Sequence, residues 1–245
     1  MSAVAVLLIA IGIADAVRRV TRAAWIAPTT VPVVVVACAA LAGLWHLGDL
    51  PLLVIVAGAG VGWVVLGARS DRSGDHQSAP LMIFGLALAA LIMLSGWGSE
   101  VDGLVARWAQ WVDLPGIGDM GPDRVLMVVG VVLLQIITGN QLVRLVLGSV
   151  GAVKPEGQPQ PSDRLKGGRL LGPMERILIL GLGLAGQLAA ATAVVAAKSV
   201  IRFPEINAAK ARENGNIGID AVTEYFLVGS FASWIIALGG LALAL

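Results

Sequence analysis

Ionisable and amide side chains set inside long apolar runs are where this chain could carry chemistry. In GGRLLGPMERILILGLGLAGQLAAATAVVAAKSVIRF, residues 167–203, Glu175 and Arg176 follow Pro173, Gln187 falls near the middle, and Lys198 and Arg202 close the run. Residues eleven apart return to nearly the same face of a helix, so Arg176, Gln187 and Lys198 form one polar line that Arg202 extends. A second run, EYFLVGSFASWIIAL, opens on Glu224. Two antiparallel helices would bring Glu224 to the depth of Lys198 and Arg202, where the group could act as a switch, hold an anion, or clamp the hairpin. The clamp is the expected role, with Glu224 paired to Lys198 or Arg202. Asp15 lies three and four residues before Arg18 and Arg19, which predicts an interfacial ion-pair cluster, with a proton relay as the alternative. In the run from Arg124 to Gly148, Gln135, Thr138 and Gln141 recur every three residues on roughly one face. Amides and hydroxyls so placed join helices in a bilayer; a substrate path is the other reading.

A different chemistry is suggested between the runs. Asp102-Gly103, Ala106-Arg107, Gly116, Asp119 and Asp123 resemble the signature of the CDP-alcohol phosphatidyltransferases, in which paired aspartates bind divalent metal at the membrane surface. The resemblance implies Asp102, Asp119 and Asp123 as metal ligands. The chain departs from that pattern in having Ser99 where the family's first aspartate stands, two residues between Gly116 and Asp119, and Pro122 interrupting the helix that should carry the last pair. The expectation is therefore an acidic, tryptophan-anchored loop with no catalytic metal. No Ser-His-Asp set and no phosphate-binding glycine loop can be assembled, so no catalytic residue and no cofactor is expected.

The elements that must position these groups are membrane helices. The chain has 245 residues, 57% of them hydrophobic and 13% charged, with a mean hydropathy of +0.86, far more apolar than a soluble domain. A net charge of +1 argues against nucleic acid as a partner. Cys38 is the only cysteine, and His46 and His76 sit in different loops without ligand spacing, so neither a disulfide nor a metal cluster is expected. An all-α polytopic fold of about seven transmembrane helices is predicted: residues 1–19, about 31–45, 52–66, 81–97, 124–148, the run after Pro173, and the run from Glu224. The first run lacks a positive n-region and a clear cleavage pattern, so it is read as a retained helix. Ser99 with Asp102 reads as a capping box opening an interfacial amphipathic helix over 99–112, with Val101, Leu104, Val105, Trp108 and Trp111 on its apolar side. Residues 1–150 thus hold about five spans, 151–172 form a Pro/Gly/Gln linker, and 173–245 form a C-terminal helical hairpin. Small residues at spacing four, Gly181, Ala185, Ala189, Ala193 and Ala197, and again Gly229, Ser233 and Ala237, predict close helix contacts.

GRLLGPMERILI, then GQ, AAKSVIRF and EYFLVG, resemble the C-terminal half of the bacterial membrane family catalogued as domain of unknown function 3307, from about Gly168 to the end. On that resemblance Glu175, Arg176, Gln187, Lys198, Arg202 and Glu224 match the family's pattern, and a bacterial inner-membrane protein is implied. No activity comes with it. Counting Lys and Arg places Arg18, Arg19, Arg22, Arg69, Arg72, Lys154, Arg164, Lys166 and Arg169 on one side, predicted cytoplasmic, with the N-terminus outside and the C-terminus inside. The expected role is a packing or scaffold subunit of a membrane assembly, partnered by lipid, by copies of itself or by other membrane subunits. The alternatives are a small-solute or ion transporter and the lipid-enzyme reading above.

Overall fold

The computed structural model describes residues 1–21, 23–74, 76–112, 120–152, 168–197, 200 and 221–245, and these are all-helical. The order is α1 (Ser2–Val20), α2 (Ile26–Ala42), α3 (Asp49–Ser73), α4 (Ser78–Met93), α5 (Gly103–Trp111), α6 (Pro122–Leu133), a π turn (Leu134–Thr138), α7 (Gly139–Ser149), α8 (Gly168–Leu184), α9 (Leu188–Ala197) and α10 (Ala221–Ala244). Helix α1 is apolar on every side as far as Ala14, and a helix of that kind belongs in the middle. Residues Ser2 to Gly12 are buried, packed against α2, α3 and α6. It approaches α6 closely at two glycines: a Cβ on Gly130 would lie 3.0 Å from the Ala5 carbonyl and one on Gly12 would lie 2.9 Å from Leu133 Cβ. In a bilayer such close approach gains dispersion contact, because lipid is as apolar as the neighbouring helix.

The two ends of the bundle differ. At one, Asp49 accepts from the Ser99 N–H at 2.8 Å, the Ser99 hydroxyl at 2.6 Å and the His46 N–H at 3.1 Å, while Ser2 donates to the Ser99 carbonyl at 3.1 Å. There too the Asp102 N–H donates to Ala42 O at 2.9 Å, Val101 N–H to Asp123 at 3.0 Å, and Arg124 Nε to Ala244 O at 2.9 Å. Arg18, Arg19, Asp71 and Arg144 gather at the opposite end. Ser99 therefore does not cap α5 as predicted. Its hydroxyl is taken by Asp49, and Asp102 stands at the N-cap without a side-chain cap bond. In α5, Ala106 and Ala109 face the bundle, while Leu104, Trp108 and Trp111 are exposed on its outer side.

Among the described residues three helices are long and apolar enough to cross a membrane, Asp49–Ser73, Pro122–Ser149 and Thr223–Ala244, rather than the seven expected. Three charges, Asp15, Arg18 and Arg19, crowd the end of α1, and α2 and α4 have 17 and 16 residues. The largest correction lies in the predicted sixth span. It starts at Gly168, ahead of Pro173, and breaks after Leu184. Gly186 adopts φ +74°, its N–H donates to Gly183 O at 3.0 Å, and Gln187 N–H donates to Leu182 O at 2.8 Å. This paired closure around a left-handed glycine is a Schellman ending. The chain then reverses: Ala191, Val194 and Val195 of α9 pack back with Ile179 and Leu182 of α8 and Trp234 and Ala237 of α10. The small-residue line breaks with it, and the close contact is instead at Gly183, where a Cβ would lie 2.3 Å from Leu241. On α10, Ser233 and Ala237 do face the bundle. Because the sixth run turns back, Ser2 and Ala244 share one end of the bundle, where opposite ends were expected.

A Cβ on Gly186 would meet nothing within 4 Å, so substitution there tests backbone conformation alone. Gly186→Ala should lower unfolding stability in detergent by about 1 kcal/mol, with Gly186→Asn costing less, since asparagine tolerates the left-handed region. Equal stability of all three proteins would show that this turn does not hold α8 and α9 together.

Candidate functional site

Arg176 lies in the middle of α8 with 1% of its surface exposed. A guanidinium carries five N–H groups and no acceptor, so burying it requires oxygens arranged around its plane. Nε and Nη2 both donate to the Gln135 carbonyl, at 3.0 and 2.9 Å; Nη2 also reaches Asn140 Oδ1 at 2.7 Å, and Nη1 reaches Ser233 Oγ at 3.1 Å. One side chain thereby joins α8 to the π turn, α7 and α10. Its hydrogen-bond acceptors are neutral, so oriented dipoles hold the guanidinium in place, and the neighbouring Glu175 carboxylate adds a favourable electrostatic interaction.

The π turn explains how a span can offer a carbonyl for this purpose. Five-residue spacing takes backbone groups out of the regular α ladder, and a donor from outside can then bind them. Arg19 of α1 donates in the same way to Ile137 O. Gln135 further donates through Nε2 to Ile236 O at 3.0 Å, tying the turn to α10. Gly139 follows directly, and a Cβ there would lie 2.9 Å from Arg176 Nε and 3.0 Å from Cζ. A side chain there would force the guanidinium to shift from this position. Glu175, next in sequence to Arg176, is also buried, and accepts from Trp234 Nε1 at 2.9 Å.

A second polar group joins α1, α3 and α7. Asp15 is 1% exposed and accepts from Trp63 Nε1 at 3.3 and 3.2 Å, with Arg18 at 3.6 Å. Arg18 continues to Asp71 at 3.2 Å; Gln141 donates to both Asp71 oxygens at 3.1 and 3.2 Å, and Arg144 stands 3.8 Å away. The predicted Asp15–Arg18 pair is present, with Asp15 buried, while Arg19 turns to the π turn instead.

The polar line through Arg176, Gln187 and Lys198 does not exist as one helical face. Gln187 follows the Gly186 turn and is exposed. Lys198 and Arg202 lie outside the described residues, and Glu224 is exposed in the first turn of α10. Of the acidic trio, Asp102 sits at the α5 N-cap, Asp123 is bound by the Val101 N–H, and Asp119 lies outside the described residues. Asn140, Ser233, Trp63, Asp71 and Asp49 were not singled out as partners by the sequence reading. Asn140 and Ser233 carried the usable signal, since each is a polar residue inside an otherwise apolar span. Chemically, both groups bind helix to helix, with Arg176, Asp15 and Arg18 turned toward partners within the bundle.

A double-mutant cycle tests the Arg176 seat. Gly139→Ala should destabilise the protein by about 1–3 kcal/mol through overpacking, and Arg176→Met by about 2 kcal/mol or more through loss of the charged bonds. In the Arg176→Met background, Gly139→Ala should cost far less, giving strong non-additivity in thermal unfolding. Arg176→Lys should not restore stability, because a point charge cannot replace the planar fork. Simple additivity would mean that Gly139 and Arg176 act independently.

No family model, curated protein or solved structure matches the chain, so what it does rests on this geometry.

Proposed function

We propose that this chain is a multi-pass protein of a bacterial inner membrane that serves as a packing subunit of a membrane assembly. In this reading α1, α2 and α4 lie in the bilayer beside the three long helices. Helix α5 rests at the interface with Leu104, Trp108 and Trp111 toward lipid, where tryptophan is favoured. The observation that carries the reading is the use made of the buried charges. Arg176, Asp15 and Arg18 are engaged by neighbouring helices, so the bundle is fastened from within while its outer face stays apolar. On α10 that outer face shows Leu227, Phe231, Ile235 and Leu238, all exposed. It suits contact with lipid or a neighbouring subunit.

A transport reading draws on one specific observation. Gln135 Oε1, in the π turn, is buried without a hydrogen-bond partner among the described residues. A buried orphan oxygen at mid-span is where water or a passing ion could bind. The resemblance of the C-terminal third to the family of unknown function favours neither reading.

Native mass measurement in mild detergent should find the chain self-associated or bound to another membrane subunit. A lone chain that conducts solute or ion flux into liposomes would overturn the assembly role in favour of transport. Orientation is tested separately, in a Cys38→Ala background. With the arginine end cytoplasmic, Glu100→Cys should react with an impermeant thiol reagent in intact cells, and Ser73→Cys only after permeabilisation. The reverse pattern would invert the topology.

A further inference from the structure

We infer that the arginine end of the bundle binds the phosphate headgroup of an anionic phospholipid, at the junction of α1, α3 and α7. The charge distribution points there first. Among the described residues this end carries Arg18, Arg19, Arg69, Arg72, Arg144 and Arg169 against Asp15, Asp71 and Glu224, six minus three, or +3. The other end carries Arg107 and Arg124 against Asp49, Glu100, Asp102 and Asp123, two minus four, or −2. The molecule is thus polarised along the direction of its spans.

The local geometry narrows the place. Arg18 and Arg144 converge on the one Asp71 carboxylate from opposite helices, and Gln141 donates to both of its oxygens. A carboxylate shared in this way cannot saturate two guanidinium groups. Arg144, whose side chain is 42% exposed, stands 3.8 Å from Asp71 and makes no hydrogen bond among the described residues. Arg69, two residues before Asp71, lies on the far side of α3 and outside this junction. A planar N–H fork left over at the rim of an apolar bundle fits phosphate oxygens, which it can bind in pairs. The rim is also the depth at which lipid headgroups lie, with acyl chains beside the exposed apolar faces. A lipid phosphate therefore meets both the charge and the position, whereas a free phosphate would meet the charge alone.

The inference rests on the membrane reading above and makes an unusual demand of Asp71. That carboxylate competes with the phosphate for Arg18 and Arg144, so its removal should strengthen lipid binding even if it weakens the fold. The test uses the full chain in mild detergent with phosphatidylglycerol or phosphatidylcholine added, read by native mass measurement of folded protein. Phosphatidylglycerol should be retained in preference, by about five-fold for each engaged arginine, and the preference should fall by that factor in Arg144→Gln and stay unchanged in Arg69→Gln. Asp71→Asn should raise it. Equal retention of the two lipids, or a preference unchanged by Arg144→Gln, overturns the inference. Displacement of phosphatidylglycerol by millimolar inorganic phosphate would also overturn it, showing a site for the free anion. Recovery of the chain away from membranes on flotation would fail the membrane reading instead.

Discussion

A guanidinium inside an apolar bundle has to find all its acceptors among its neighbours, and Arg176 does so by drawing on three other elements at once. Backbone oxygens in a regular helix already hold a hydrogen bond, so the most useful acceptor is one that the helix has given up. The π turn supplies it. Leu134–Thr138 widens the spacing within the longest span, the Gln135 carbonyl accepts two bonds from Arg176, and Gly139 leaves room for the guanidinium to reach it. The glycine, the turn and the arginine form one device, and none of the three makes sense alone.

This device was only partly legible in the sequence. Helical class and membrane character follow from composition and from the length of the apolar runs. Arg176 and Gln135 stand out because charge and amide are rare inside such runs. Their meeting does not follow, since a 3.6-residue period carries no information about a π turn and places Gln135 with Thr138 and Gln141 on one face. The structure instead turns Gln135 toward α10 and Gln141 toward Asp71 on α3.

The reading of the sixth span failed for a related reason. Eleven-residue spacing joined Arg176, Gln187 and Lys198 on the assumption of an unbroken helix, and hydrophobicity alone gives no cause to doubt it. Gly186 was the signal available, because glycine followed by a polar residue is a frequent helix ending. It was read only as part of GQ. Ser99 misled in the opposite direction: its spacing to Asp102 suits a capping box, but a long-range carboxylate, Asp49, takes the hydroxyl. Spacing finds local partners and is blind to those fifty residues away.

The reversal at Gly186 bears on how such a chain could be inserted. Helices α8 and α10 both set out from the arginine end, and α9 turns back toward it. The polar stretches that precede α8 and α10, residues 153–167 and 201–220, hold Lys154, Arg164, Lys166, Arg202, Lys210 and Arg212. Moving such segments through a bilayer is unfavourable, and positively charged ones are retained on the cytoplasmic side. In the membrane arrangement proposed above, a hairpin between them would let both stretches stay on one side, and the last third of the chain would enter the membrane from that face with only the end of α10 crossing.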